Sequence, residues 1–411
     1  MIEFFNKNNV INKKQFGFKE NSSTDLAVLD TVEHISKALD KNLVTCSIFL
    51  DLAKAFNTVD HCVLLKKLEK YGIRGDPLLL IKSFLSNRIQ ATKVNSFKSK
   101  ELEINSGVPQ GSCLGPLLFI IYINDIHLNT AFSIRLFADD ASLSLSHRVP
   151  ETLEDNVNKE LDTIYKWLQS NKLFLNFSKT NYLIFSKKKH KYKYTIKINN
   201  HELKQEHTTK YLGITIDDTL TWKPHLHKLK TTLSRGCYAL SKLRMYLTQD
   251  AMKTVYHSLF HSKMQYGIAS WGGCSVTNQL PIFRLQKRAL RLVCSQQNRT
   301  PSHPLFIETK ILKLFDVYRL NICKIVRKMI DGKLDGNIEL QNINNIHNYN
   351  TRLRINNNFF TQSIQTNLTK SSFSYAGPKF WREVPHSLKS FNHITFGKQY
   401  KTYLYNCYLN E

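Results

Sequence analysis

Leu136-Phe137-Ala138-Asp139-Asp140-Ala141 decides the fold of this chain. Upstream, Ile134, Leu136 and Ala138 alternate with Ser133, Arg135 and Phe137. Downstream, Leu143 and Leu145 alternate with Ser142, Ser144 and Ser146. Period-two patterning on both sides of a tight joint predicts a β-hairpin. Two acids at its tip repel one another, so a counter-charge is expected there. A divalent cation is the usual answer, and Mg²⁺ suits carboxylate oxygens. Asp-Asp alone reads more readily as a solvated acidic turn, because Asp is common in turns.

A third acid sharpens the choice. The short apolar run Cys46 to Leu50 predicts a buried strand that ends in Asp51, 88 residues before Asp139. A strand ending in Asp beside a hairpin tipped with Asp-Asp gathers three carboxylates at one point. Such a cluster can hold two Mg²⁺ ions about 4 Å apart, one lowering the pKa of an attacking hydroxyl and the other neutralising a leaving oxygen. In-line phosphoryl displacement needs both effects. Taken alone, Asp51 reads equally as the cap of a turn.

Outward from this cluster the pattern is mixed. A helix is predicted over 24–40, capped by Ser23 or Thr24, with Leu26, Leu29, Val32, Ile35 and Leu39 near one face. Helical patterns over 60–90 break at Gly72 to Pro77, and a helix over 112–126 follows the Gly107-Val108-Pro109-Gln110-Gly111 turn. Residues 151–170 are amphipathic through Leu153, Val157, Leu161, Ile164 and Leu168. A strand at 180–186 leads into the basic run Lys187 to Lys193, and strands at 194–199 and 211–216 follow. Beyond Thr221 the pattern is helical, through Leu226, Leu229, Leu233, Cys237 and Leu240. An Asn-rich stretch over about 337–367 predicts a loop or linker, and the last forty residues a small folded tail.

At 411 residues the chain has room for two or more domains. Its longest apolar run, Leu114 to Ile123, is too short to span a bilayer, and the N-terminus lacks a secretory core, so an intracellular protein without a membrane partner is expected. Eight scattered cysteines without a CxxC pair suggest neither a zinc knuckle nor a disulfide framework. The net charge of +26 points to a polyanionic partner, with a genome's base composition as the competing source of so many Lys and Asn. Between Leu226 and Ile330, 18 Lys and Arg face only Asp250, Glu308 and Asp316. That concentration suits a phosphate backbone, with counterion release supplying affinity.

Asp51 with Phe56, Ser106 to Ser112 with Gly115-Pro116, and Phe137 to Asp140 resemble, in order and spacing, the palm motifs of reverse transcriptases. The Phe-Ala-Asp-Asp and Pro-Gln-Gly-Ser-x-x-Gly-Pro forms are similar to those of non-LTR (LINE-type) retrotransposons of the jockey-like group. Gln15-Phe16-Gly17-Phe18 with Ser23-Thr24 resembles the fingers motif, Leu175-Asn176-x-x-Lys179-Thr180 the fourth palm motif, and Tyr211-Leu212-Gly213 the primer grip. Tyr266-Gly267 with Trp271-Gly272, and Gly377-Pro378-x-x-Trp381, resemble the thumb and C-terminal region. The resemblance covers nearly the whole chain.

It implies an α+β fold: a right-hand polymerase palm with a small antiparallel sheet, partial fingers, a helical thumb and a C-terminal tail. Residues 1–45 become partial fingers and 46–220 the palm, with a fingers-type insertion over about 61–104. A basic helical thumb over 221–335, an Asn-rich linker over 336–367 and the tail over 368–411 complete the chain. The implied activity is RNA-directed DNA polymerisation with two Mg²⁺ ions, or Mn²⁺ in their place. Its partners are an RNA template, a DNA primer, their RNA–DNA duplex and dNTPs, in a nuclear or cytoplasmic ribonucleoprotein.

Residue by residue, the resemblance assigns Asp51 and Asp139 to both metals, with Asp140 beside them. Phe56 matches the aromatic gate that excludes a 2′-hydroxyl, although alone it reads as a core side chain. Gln110 and Gly111 match the turn over the incoming nucleotide. Lys179 matches the lysine proposed to protonate or neutralise departing pyrophosphate, and a surface lysine is its plain alternative. Tyr211, Leu212 and Gly213 would steady the primer 3′ end. Arg284, Lys287, Arg288 and Arg291 lie at helical spacing with Leu285, Leu290 and Leu292, as a duplex-lining face or an ordinary amphipathic helix. The Lys187 to Lys193 run reads as a nucleic-acid contact or a solvated charge run.

The family places a basic fingers segment and an endonuclease ahead of the Gln-Phe-Gly-Phe motif, whereas fourteen residues precede Gln15 here. An N-terminally truncated copy is therefore expected. Two other readings compete. One is a catalytically silent nucleic-acid-binding remnant of a retrotransposon. The other is an RNA polymerase of the same palm type, against which a bulky Phe56 argues.

Overall fold

In the computed structural model, residues 1–187, 192–334, 338, 340–341, 359–361 and 367–409 are described. The centre of the Lys187 to Lys193 run and most of the Asn-rich stretch lie outside them. The chain divides into two compact units: residues 1–27 with 42–207, and residues 28–41 with 208–411.

The first unit is built on a five-stranded sheet. In chain order its strands are β1 (Val44–Asp51), β2 (Ser133–Phe137), β3 (Asp140–His147), β4 (Asn181–Phe185) and β5 (Lys204–Gln205). They lie side by side as β5-β4-β1-β3-β2. All pairs are antiparallel except β5 with β4. The amphipathic helix Pro150–Ser170 buries the five predicted apolar residues, which join Cys46, Ile48 and Leu50 of β1 in one core. Helix Leu114–Ile123 is buried nearly all round, consistent with an unbroken apolar run. Helices His61–Lys70 and Asp76–Leu85 meet at the predicted break.

The polar positions of the alternating hairpin are not solvated: Arg135, Ser142 and Ser144 are buried along with the apolar ones. Thr45 and Ser47 of β1 are buried on the same side, and their hydroxyls meet Ser146 Oγ at 2.8 Å and Ser144 Oγ at 2.9 Å. Small hydroxyls on facing strands satisfy one another, so a seam polar in sequence can be packed dry.

In the second unit, the strand predicted over 211–216 is a hairpin: β6 (Thr208–Tyr211) pairs with β7 (Ile214–Asp217) across Leu212-Gly213. Both turn residues have positive φ, +46° and +82°, as the tightest hairpin turn requires. The buried Asp217 ties this hairpin to the helix Lys223–Leu243. Its carboxylate accepts from Trp222 N and Thr221 N, each at 2.8 Å, and from the Thr219 and Thr221 hydroxyls. That helix buries Leu226, Leu229, Leu233, Cys237 and Leu240, as its spacing predicts. Helix Val276–Val293 packs along it, and helix Leu314–Ile330 carries Phe373–Arg382 and His393–Cys407 from the tail. Among the described residues no helix is long and apolar enough to cross a membrane.

Candidate active site

The β2–β3 hairpin closes on two residues, since Phe137 pairs with Asp140. Asp139 therefore stands in the turn, and Asp140 opens the next strand. Ala138, the other turn residue, has φ +55°, a left-handed conformation that costs a non-glycine residue about 1 kcal/mol. The Gln15-Phe16-Gly17 segment holds it there. Phe16 N donates to Leu136 O at 2.8 Å and Leu136 N to Lys14 O at 3.0 Å. The buried Gln15 Oε1 accepts from Gly17 N at 2.8 Å and from Ala138 N at 3.3 Å. A Cβ on Gly17 would lie 2.4 Å from Ala138 N, so only glycine fits against the turn.

The third acid arrives by register. Asp51, the last residue of β1, pairs with Asp140, the first of β3. The carboxylates are thus gathered at one end of the two central strands. Burial raises the pKa of Asp139, and Asp51 adds repulsion. Burial lifts Asp140 further, to about 6, with Asp139 and Asp51 repelling its charged form. Lys179 brings positive charge to the cluster, its Nζ 3.8 Å from Asp51 Oδ2. Lys179 sits in a turn closed by its own N–H onto Asn176 O at 3.1 Å, and Asn176 N donates to Asp51 O at 2.8 Å. Thr180 Oγ1 accepts from Asp51 N at 3.3 Å.

Among the described residues no three carboxylate, imidazole or thiol groups close into a ready-made metal cage. Asp139 and Asp140 are adjacent in the chain and Asp51 faces Asp140 across the strands, and their mutual repulsion opposes closer approach. The donors still fit a hard divalent cation: they are all oxygens, and an added positive charge would reverse the raised pKa values of Asp139 and Asp140.

Phe56 follows β1 in a single turn of 3₁₀ helix, Ala55–Asn57. Its half-buried ring stacks on Phe119 at 4.5 Å and meets Phe18 edge-on at 6.3 Å. The Gly107 to Gly111 turn lies against the same segment. Val108 N donates to Phe56 O at 2.9 Å, and Gln110 Nε2 to Asn57 Oδ1 at 3.1 Å. Gly107, at φ +82°, leaves room for Asn57, whose backbone would lie 2.8 Å from a Cβ there. Gly111, also left-handed, has open space beside it.

The remaining candidates belong to the second unit. Tyr266 Oη donates to Leu212 O at 2.7 Å, and its ring rests against Gly213, so Tyr266 braces the Tyr211-Leu212-Gly213 turn. On helix Val276–Val293, Arg284 and Arg288 are exposed. Lys287 Nζ sits 4.5 Å over the Phe283 ring, and Arg291 Nε donates to Thr300 O at 2.7 Å. The face opposite is buried on Gln286, which bridges Tyr256, Leu312 and Leu314. The sequence placed Gln15, Gly17, Thr180 and Tyr266 in motifs without assigning any of them a contact, and it gave no role to Phe119. Gln15, Gly17, Thr180 and Tyr266 act on backbone distant in the chain and Phe119 on the Phe56 ring, contacts for which a single sequence carries little signal.

A small sheet with acids gathered at one end of its central strands, backed by helices, is a polymerase palm-like α+β fold. The comparisons with known proteins make this specific. Residues 1–216 match the family described as reverse transcriptase (RNA-dependent DNA polymerase), and the chain belongs to that family. Among its relatives in Drosophila melanogaster is a probable RNA-directed DNA polymerase from transposon BS, 31% identical over 68% of this chain and 32% of the relative. That from transposon X-element is 28% identical over 74% and 34%. The RNA-directed DNA polymerase from mobile element jockey is 25% identical over the same shares. The chain thus spans about a third of the length of the relatives it matches. Among solved structures, apo telomerase from Candida tropicalis is similar at 11% identity, with a TM-score of 0.42 over 81% of this chain and 57% of that one. Telomerase from Candida albicans gives 13% and 0.36 over 82% and 56%.

Proposed function

We propose that this chain extends a DNA primer on an RNA template, with Asp51, Asp139 and Asp140 as the catalytic carboxylates. The observation that carries the reading is the register of Asp51 against Asp140, with Asp139 in the adjoining turn and burial raising both hairpin acids. The primer 3′-oxygen attacks the α-phosphorus of a dNTP, and pyrophosphate leaves in line. Two Mg²⁺ ions, or Mn²⁺, held by the three carboxylates supply charge neutralisation and Lewis acidity when bound. Lys179, beside Asp51, is a proton donor to the departing pyrophosphate. Gln110 and Gly111 form the surface over the incoming nucleotide, where a glycine permits close approach. Tyr211, Leu212 and Gly213 steady the primer end. Arg284, Lys287, Arg288 and Arg291 contact the duplex, Arg284 and Arg288 most directly because they are exposed. In this reading residues 1–45 serve as partial fingers, 46–220 as palm, 221–335 as thumb and 368–411 as tail.

Phe56 discriminates sugars. Its ring is wedged on Phe119 and Phe18 and cannot easily move aside for a 2′-hydroxyl. Primer extension on an RNA template should therefore consume dNTPs and reject rNTPs, and Phe56→Ala should raise rNTP use relative to dNTP by tenfold or more. Unchanged sugar preference in the variant would remove Phe56 from the site.

A further inference from the structure

The second unit contains a cavity of about 380 Å³ lined by no residue given a role in the reaction above. It lies among the π-turn His257–His261, helix Leu314–Ile330 and helix His393–Cys407. Lys310, Lys324, Lys398 and Lys401 line it together with His257 and His261, and no Asp or Glu does. Among the described residues, none of these six forms an ion pair. The Lys324 stem lies along Gly397, where a Cβ would come within 3.1 Å of its Cε. A π-turn is a rare element that recurs at functional sites.

Lysines from three stretches of the chain, Lys310, Lys324 and Lys398 with Lys401, border the cavity, and no acid lines it. Burial and Lys401 hold the pKa of His257 down. Burial, then His257 and Lys401, bring His261 to about 4. Burial, Lys328 and Lys401 lower Lys324 as well. In all three, burial is the larger cause, and the neighbouring cations push the same way. The volume falls in the range of about 300–1,000 Å³ typical of small-ligand pockets. A single phosphodiester would bring one negative charge to four lysines, and a duplex is better met by an open face such as Arg284 and Arg288.

We propose that this cavity binds a compact polyphosphate, several phosphate groups on a small scaffold, through Lys310, Lys324, Lys398 and Lys401 with His257 and His261. The ligand neutralises the cluster and ties the tail helix His393–Cys407 to helix Leu314–Ile330. The inference is independent of polymerase activity.

The test is calorimetric titration of the full chain with inorganic tripolyphosphate at fixed ionic strength, paired with thermal unfolding. Saturable one-to-one binding, a Tm rise of several degrees at saturation, and at least tenfold weaker orthophosphate binding are expected. Lys401→Gln and Lys398→Gln should each weaken tripolyphosphate at least fivefold. Both side chains are exposed, so the variants fold. Without ligand, Lys401→Gln should unfold at or above the wild-type temperature, because a repulsion is removed. Equal affinity in wild type and variants, or equal affinity for orthophosphate, would overturn the proposal. So would a duplex oligonucleotide that binds through Lys401 while tripolyphosphate does not, since that assigns the cavity to nucleic-acid backbone.

Discussion

At the scale of the residue, the Asp-Asp turn is held by side chains whose importance lies in what they leave out. Gly17 has no Cβ because Ala138 N occupies the space at 2.4 Å. Gly17→Ala should push the turn away from Gln15 and misplace Asp139. A displacement of about 1 Å at a reacting centre costs on the order of 10²-fold in rate. Primer extension should fall by that order while far-UV circular dichroism stays native. Full activity in Gly17→Ala would show that the contact does not position the acids. The acids themselves were legible in the sequence, because strand patterning on both sides marked the hairpin. The Gln15 brace was visible only as a motif. Its partner, Ala138, is 123 residues away, and nothing in the periodicity links the two.

Elements show a different balance. Helices with one apolar stripe, such as Pro150–Ser170 and Lys223–Leu243, follow their sequence spacing closely. The hairpin at 208–217 was hidden, since Leu212-Gly213 interrupts an apolar run without the usual Asn-Gly or Asp-Gly signal. Its turn depends on Tyr266 Oη donating to Leu212 O. Tyr266→Phe should cost about 1 kcal/mol of stability. If the turn grips the primer, the variant should also raise the KM for primer–template several-fold with kcat little changed. A fall in kcat alone would place the turn elsewhere in the reaction. The Ser142 and Ser144 face is a second lesson: alternation was read correctly as strand, but burial on both faces depends on packing that alternation does not encode.

At the scale of the molecule, a helix legible as a helix gave no hint of its allegiance. Residues 28–41 cluster with 208–411, and Glu33 accepts from Phe373 N at 2.9 Å and Ser374 N at 3.2 Å, 340 residues downstream. The second unit also carries an acid lability. His225 Nδ1 accepts from Thr215 N at 3.4 Å between the rings of Trp222 and Trp271, and burial, with Lys228 nearby, lowers its pKa to about 4. His261 is lowered to the same value. A depressed histidine binds its proton in the unfolded chain first. Its stabilising contribution is complete above about pH 6.5 and is lost as pH falls towards 4, by up to about 3 kcal/mol for His225. Urea midpoints should therefore drop between pH 7 and pH 5 and flatten in His225→Leu. Identical slopes in both proteins would remove His225 as the cause.

The catalytic role of the three carboxylates is tested most directly by primer extension on an RNA template with Mg²⁺, comparing the native chain with Asp139→Asn. The substitution keeps the shape of the turn and removes one charge. The native chain should incorporate dNTPs, and the variant should lose at least 10³-fold in rate while retaining duplex binding. Equal extension by both proteins would contradict the assignment of the Asp139-Asp140 turn as the catalytic centre.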